Sequence, residues 1–321
     1  MSWKPATAHK TRQLRAQMLH DIRAFFLQKN VLEVETPALS QAGNTDPFIE
    51  SFQLNQEIKQ DNSPRYLHTS PEYAMKRLLA DNSGDIYQIC KVWRASETGR
   101  NHNPEFTMLE WYRVGFHYHQ LIQEVTELLL SLLPSVEKNT VIIAYKTLFI
   151  DTFGINPHQT NQRELANCVQ KNISGLATNN LDQQALLDAL LTHCIEPEFD
   201  KKSLTFIIDY PAEQSALAQL RTEKNYQVAE RFEVYLGTSE LANGYQEEIS
   251  YQRNLEILDT ENAHRKTNQQ TIITQDKHFL HAMKAGMPVT SGVAIGLDRI
   301  LMTLANVKSI QEVINFPWES A

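Results

Sequence analysis

"ASETGRNHNPEFTMLEWYR", residues 95–113, decides how the rest of the chain is read. Its first half is a polar, turn-rich loop. From Pro104 it becomes an alternating run in which Glu105 and Glu110 stand among aromatic residues. Side chains alternate across a strand, so Phe106, Met108, Glu110 and Tyr112 share one face and Glu105 takes the other. A carboxylate beside a phenol and an aromatic ring is a poor water-facing surface and a good ammonium pocket. Charge-assisted hydrogen bonds and ring faces both favour a cation there. Taken alone, the stretch also fits an edge strand whose Glu110 points at solvent or pairs with a local Arg.

Outward from it, "DIYQICKVWR" (85–94) reads as the partner strand, joined to it by the long polar loop. "YLHTSPEYAMKRLLA" (66–80) reads as a short strand and then a helix, with Ser70 as N-cap and Pro71 at the first helical position. Leu14, Met18, Ile22, Phe25 and Phe26 recur at helical spacing within 11–29, and the helix should stop near Asn30. "VLEVETPAL" follows as a strand ended by Pro37, and residues 55–65 read as an exposed connector. Residues 118–133 and 160–195 read as helices, the second broken around "NISGLATNN". "LTFIIDYP" and "AERFEVYLG" are strands, and "SELANGYQEEIS" returns after a turn at Gly237-Thr238. Residues 253–285 are helical in pattern, and "SGVAIGLDRILMTLA" is a small-residue strand with a closing helix. This order predicts an α+β fold, a mainly antiparallel β-sheet flanked by helices.

The 321 residues are 42% apolar and 21% charged, with a formal net charge of −8. That supports a sizeable core and argues against disorder. The acidic balance disfavours broad nucleic-acid binding, which draws its affinity from phosphate neutralisation. Cys90, Cys168 and Cys194 are far apart and form no CxxC, so reduced structural thiols are expected rather than a disulfide framework or zinc knuckle. No run approaches the ~20 apolar residues of a membrane span, and the N-terminus lacks an apolar secretory segment. The expected location is cytoplasmic, with no membrane partner. "FHYHQ" offers His117 and His119, but no third metal ligand at a suitable spacing.

A second acidic set lies in "RFEVYLGTSELANGYQEE". With a two-residue turn at Gly237-Thr238, Tyr235 faces Glu240 and Glu233 lies diagonally on the same face. Two carboxylates so placed repel unless a cation sits between them, and Mg²⁺ bridging phosphate oxygens is a natural candidate. Asn243, Tyr245 and Glu247 alternate onto the other face unless Gly244 marks a bulge that swings them back. Arg94, Arg100 and Arg299, the last following "GVAIGLD", supply planar donor forks suited to phosphate. Together these features describe a site for ATP and a cationic amino acid.

At this point the chain resembles a family. "VWRASETGRNHNPEFTMLEWY" resembles motif 2 of class II aminoacyl-tRNA synthetases of the lysine type, "GVAIGLDRILM" motif 3, and "FFLQKNVLEVETPAL" motif 1. "SPEYAMKRLL", "YPAEQSALA" and "RFEVYLGTSELANGYQE" are also similar to lysyl-tRNA synthetase. The similarity runs from about residue 14 to the C-terminus, with the motifs in the family's order. Two departures narrow it. Too few residues precede motif 1 for the OB-fold anticodon-binding domain, and Ala242 and Ala294 stand where lysyl enzymes have glycine. Both are traits of the stand-alone paralogues that ligate (R)-β-lysine to elongation factor P, and the chain is identified as a member of that family.

The resemblance implies a class II aminoacyl-tRNA synthetase catalytic core as a single domain over 1–321, a homodimer, ATP as co-substrate and Mg²⁺. It implies (R)-β-lysine or lysine as substrate, elongation factor P as protein partner, and no tRNA. It makes Arg94 and Arg299 catalytic, Arg94 bridging the α-phosphate and the substrate carboxylate and Arg299 holding the γ-phosphate. Glu233 and Glu240 would carry Mg²⁺. Phe106 would stack on adenine, with Ala95, Ser96, His102, Asn103, Glu240, Leu241 and Gly296 around the nucleotide. Ser70, Pro71, Glu72, Glu110, Tyr112, Tyr245, Glu247 and Ala294 would line the amino-acid pocket. Glu72, Glu110, Tyr112 and Glu247 would take the two ammonium groups and Asn243 the carboxylate, leaving Glu105 structural. One mismatch stands out. The family runs Arg-Asn-Glu where this chain has Arg94-Ala95-Ser96, with Glu97 one place later. Either Ser96 makes a weaker adenine contact or Glu97 replaces the glutamate after a loop shift. A truncated lysyl-tRNA synthetase charging RNA, or a non-catalytic regulatory paralogue, are the competing readings.

Overall fold

Met18, Ile22 and Phe26, one helical turn apart, form the fully buried stripe of α1 (His9–Gln28). Asn30, in the left-handed region at φ 56°, ends it. The computed structural model describes residues 3–55 and 63–321, so most of the expected connector at 55–65 lies outside the described residues. Contacts divide the chain into two units, Met1–His117 with Glu248–Ala321, and Tyr118–Glu247.

The first unit continues with β1 (Leu32–Glu33), then β2 (Leu39–Ser40), β3 (Gln53–Leu54) and β4 (Arg65–Leu67). The last three make a small antiparallel sheet with β4 in the middle. Next come α2 (Glu72–Ala80), β5 (Ile86–Trp93) and β6 (Glu105–Val114). The helix of α2 starts later than expected: Pro71 is its N-cap, although Ser70 Oγ still accepts from the Glu72 amide at 3.0 Å. β5 and β6 pair antiparallel, as their sequences require, whereas β1 joins β5 in parallel.

The second unit holds α3 (Tyr118–Leu132), β7 (Thr140–Ala144), α4 (Tyr145–Phe153), α5 (Gln162–Asn172), α6 (Gln183–Leu190), β8 (Leu204–Pro211), β9 (Leu220–Glu223), β10 (Tyr226–Leu236) and β11 (Ser239–Gln246). Its strands run β11-β10-β8-β7, with β9 on the other stretch of β10. Tyr145, Phe149, Leu165, Val169, Leu186 and Leu190 from the helices pack on Ile207, Tyr210 and Tyr235 from the strands. β7 and α4 escape a sequence reading because "TVIIAYKTLFIDTF" passes from strand to helix with no Gly, Pro or side-chain cap.

The first unit resumes with α7 (Tyr251–Thr267), α8 (Lys277–Ala285), β12 (Thr290–Gly296) and α9 (Leu297–Ala305). The helical stretch expected over 253–285 is thus interrupted, and Asp276 caps the second helix by accepting from His278 and Phe279 amides. β12 pairs antiparallel with β6. Phe26 stacks on Tyr87 (centroids 4.3 Å apart) and meets Trp111 edge-on at 5.3 Å, so α1 covers the Trp111 face of β5 and β6. Asp298, at the start of α9, accepts the Thr107 amide at 2.6 Å and pairs with Arg15 on that same face. The opposite face carries Phe106, Met108, Glu110 and Tyr112. The fold is α+β, as expected. No helix among the described residues is long and apolar enough to cross a membrane.

Candidate active site

Glu110 lies mid-strand on β6 and is 3% exposed. Its oxygens take neutral donors: Ser70 Oγ at 2.7 Å and Tyr112 OH at 2.7 Å. Period-2 alternation brings the phenol alongside, and the turn before α2 brings the serine. Opposite Glu110 stand Gln88 on β5 and Ala294 on β12, so a methyl group borders the carboxylate. Burial, and then the nearby charge of Glu72, push its carboxyl up to about 7. Glu72 itself is paired: Lys76, one turn along α2 and fully buried, donates to it at 2.7 Å. The sequence reading passed over Lys76, although the i,i+4 spacing from Glu72 was its signal. Glu105 faces the other way and bonds Trp93 Nε1 at 3.1 Å, a structural part.

Arg94 ends β5 with its guanidinium over the Phe106 ring, 5.2 Å from the centroid. Nη1 donates to Glu97 at 3.1 Å and Nε to the Thr69 carbonyl at 3.4 Å. Glu97 therefore does reach the motif-2 arginine, while Ser96 is exposed. Ala95 is held by its amide on the Glu50 carbonyl at 2.8 Å. Burial, and then Arg299, hold the His102 imidazole below its ordinary pKa. Neutral, it accepts at Nε2 from Arg299 Nη2 at 2.8 Å. Gly296, at the end of β12, has open space where a Cβ would stand, with only Arg299 Cδ at 4.0 Å. Asn103 is buried, donates to the Glu105 carbonyl at 2.6 Å and accepts from the Trp318 amide at 3.0 Å, which fixes the loop ahead of β6. Arg100, exposed, donates from Nε to the Lys308 carbonyl at 2.8 Å.

In the second unit, Leu236 and Ser239 close the β10–β11 hairpin around Gly237 (φ 55°) and Thr238. Tyr235 opposes Glu240 as expected. The bulge is not at Gly244. Register passes from Val234↔Ala242 to Tyr235↔Glu240, which makes Leu241 the extra residue. The consequence is the conditional one: Glu233 opposes Asn243, so Asn243 shares the face of Glu233, Tyr235 and Glu240, with Tyr245 and Glu247 following by alternation. Leu241 and Ala242 are buried beneath. Asn243 Nδ2 lies 3.1 Å from Tyr245 OH, and its buried Oδ1 has no partner. With the amide's O and N exchanged, the tyrosine donates to Oδ1 and an N–H pair is left for a carboxylate. Glu247 is 1% exposed.

Glu233 takes Tyr210 OH and Tyr235 OH on Oε2, each at 2.7 Å, and Arg231 on Oε1. A carboxylate offers about four lone-pair positions, so one on Oε1 stays open. That suits one bond to a hard cation, and Glu240 adds a second oxygen donor on the same face. Burial, and then the charges of Glu233 and Glu240, push Glu196 up to about 7, which marks the region as short of positive charge.

Antiparallel strands, a strand-end arginine over a phenylalanine and a helix-start arginine after a glycine define a class. The family model for tRNA synthetases class II (D, K and N) matches residues 1–320, and the chain belongs to that family. Among curated proteins, "Elongation factor P--(R)-beta-lysine ligase" of Haemophilus influenzae (strain PittGG) is 39% identical over 99% of this chain and 98% of its own length. Proteins of the same name from Vibrio atlanticus (strain LGP32) and Edwardsiella ictaluri (strain 93-146) are each 40% identical, over 99% and 100% of this chain and 98% of their own lengths. Within the class, the chain belongs to the family of these ligases.

Proposed function

We propose that the protein activates (R)-β-lysine, or lysine, with ATP and transfers it to the ε-amine of a specific lysine of elongation factor P. It works in the cytoplasm, as a homodimer and a single class II catalytic domain, with no tRNA as acceptor. The observation that carries this reading is Glu110: a buried carboxylate on a synthetase strand, held by Ser70 and Tyr112, with Ala294 beside it.

In the first unit, Glu110 would take a substrate ammonium, donated protons from Ser70 and Tyr112 keeping its oxygens in place. Ser70, Pro71, Glu72 and Ala294 would shape that pocket. Arg94 would leave Glu97 for the α-phosphate and the substrate carboxylate, where negative charge grows during attack. Phe106 would receive the adenine, with Ala95, Ser96, His102 and Asn103 near it and Gly296 allowing close approach. Arg299 would hold the γ-phosphate, oriented by neutral His102. In the second unit, Asn243 would bind the carboxylate and Tyr245 and Glu247 an amine. Glu233 and Glu240 would hold Mg²⁺, with Leu241 between them as the bulge that turns Glu240 to that face. Bound Mg²⁺ would neutralise triphosphate charge. The substrate carboxylate attacks the α-phosphorus and pyrophosphate leaves with the electron pair of the broken α–β P–O bond, giving an aminoacyl-adenylate. The neutral acceptor amine then attacks the acyl carbonyl carbon, AMP leaves with the electron pair of the broken acyl–phosphate bond, and the new amide nitrogen gives up its extra proton to solvent.

ATP–pyrophosphate exchange with (R)-β-lysine and with α-lysine, followed by acylation of elongation factor P, tests the proposal. Exchange with either isomer and label on elongation factor P are expected, and Arg94→Ala should abolish exchange. Exchange with neither isomer would favour a regulatory paralogue, and label on tRNA alone a charging enzyme.

A further inference from the structure

The second unit contains a hydrogen-bond relay that begins on α6 and ends on Glu233. Asp188, on α6, accepts from Gln214 Nε2 at 2.8 Å. The carbonyl of Gln214, in the short turn Ala212–Gln214 after β8, accepts from Arg231 Nη1 at 2.7 Å. Arg231 Nη2 reaches Glu233 Oε1. Arg231 lies over the ring of Tyr210 at 4.8 Å and of Tyr245 at 5.9 Å.

An arginine beside a carboxylate tends to engage both oxygens with two parallel N–H bonds. Here Nη1 is diverted to the Gln214 carbonyl, so Arg231 meets Glu233 through one nitrogen only. Tyr210 and Tyr235 already fill Oε2, so a second N–H from Arg231 could fall only on Oε1; with Nη1 diverted, one lone pair of Oε1 stays open. The Gln214 carbonyl stays in place because its own side chain is tied to α6 through Asp188. Gln214 is 6% exposed, and no solvent can replace the tie cheaply.

We infer that Asp188 is a positioning residue for Glu233: acting through Gln214 and Arg231, it keeps one carboxylate lone pair free for a divalent cation. This rests on the reading of Glu233 as a metal carboxylate. Asp188 lies on α6, away from the strands that carry Glu233 and Glu240, so the relay makes that helix part of the cation's surroundings.

The test is Mn²⁺ binding to the full chain with a non-hydrolysable ATP analogue, followed by electron paramagnetic resonance. Asp188→Ala should weaken Mn²⁺ binding about tenfold, the scale of a supporting group around a metal. The Mg²⁺ concentration for half-maximal exchange should rise in parallel, with kcat at saturating Mg²⁺ within about twofold. Asp188→Asn, whose amide oxygen still accepts from Gln214, should bind like the parent. Gln214→Leu cuts the relay from the other end and should reproduce the Asp188→Ala shift, which guards against a single misfolded variant; circular dichroism checks both. Equal Mn²⁺ affinity in the parent, Asp188→Ala and Gln214→Leu would overturn the relay while leaving Glu233 as a ligand. No Mn²⁺ binding by the parent would overturn the metal reading and the relay with it.

Discussion

Ser70 Oγ donates to Glu110 Oε2 at 2.7 Å, tying the turn before α2 to the middle of β6. Through that bond a residue at the mouth of a helix orients a carboxylate forty positions later in the chain. What the carboxylate can bind then depends on its charge.

Glu110 titrates near 7 because burial, and then Glu72, disfavour its charged form. Below that pH it is neutral, and holding an ammonium requires it to lose its proton. The KM for the aminated substrate should therefore rise about tenfold per pH unit below 7 and flatten above it. Stability runs the opposite way. A carboxyl raised from its ordinary 4.5 to about 7 by folding opposes folding increasingly as pH climbs through that window. Glu110→Gln should remove both dependences, as read by exchange kinetics and by urea unfolding at pH 5.5 and 8.

Lys76 is fully buried and its partner Glu72 is 23% exposed. Replacing the lysine alone leaves a carboxylate without its cation. Lys76→Met should cost about 2 kcal/mol in urea unfolding, below the ~3–5 kcal/mol of a fully buried pair because water reaches Glu72. The double variant Lys76→Met with Glu72→Leu should recover most of that loss.

Arg265 is 0% exposed and donates to the carbonyls of Thr45 (2.9 Å), Asp46 (2.8 Å), Ile49 (3.1 Å) and Thr271 (3.3 Å) and to Glu50 (3.1 Å). It thus moulds the loop whose Glu50 carbonyl holds the Ala95 amide, next to Arg94. Lysine has neither the fork nor the reach to replace it. Arg265→Lys should lose about 2–4 kcal/mol of stability, from buried carbonyls left unpaired, and should raise the KM for ATP. Thermal melts and exchange kinetics check the two effects.

Glu97 pairs with Arg94 at 3.1 Å. Binding a phosphate there means leaving this partly exposed ion pair, which is worth up to about 1 kcal/mol. Glu97→Gln should lower the KM for ATP about 2- to 5-fold. A rise in KM would instead make Glu97 the adenine contact that stands out of register in the motif.

Local periodicity carried much of the fold. The alternation in 104–114 placed Glu110 and Tyr112 on one face, and the turn at Gly237 paired Tyr235 with Glu240, as the register has them. Both depend only on the pleat and on a turn residue, which neighbours along the chain supply. The bulge was misplaced because any residue of "ELANGYQ" could be the extra one, and glycine is merely the one with the fewest objections; cross-strand pairing chose Leu241. That the amide of Trp318, far along the chain, bonds Asn103 Oδ1 has no local signal.

The sequence by itself determined most of the strands and helices, β7 and α4 excepted, and which side chains of a strand look the same way, because pleat and helical turn are set within a few residues. Only the tertiary structure decided that Glu110 is buried enough for its carboxyl to be pushed up to about 7, that Lys76 is fully buried where it meets Glu72, and that Asp188 reaches Glu233 through Gln214 and Arg231. Desolvation and hydrogen-bond partnership depend on which distant segments close over a group, and no local pattern encodes them.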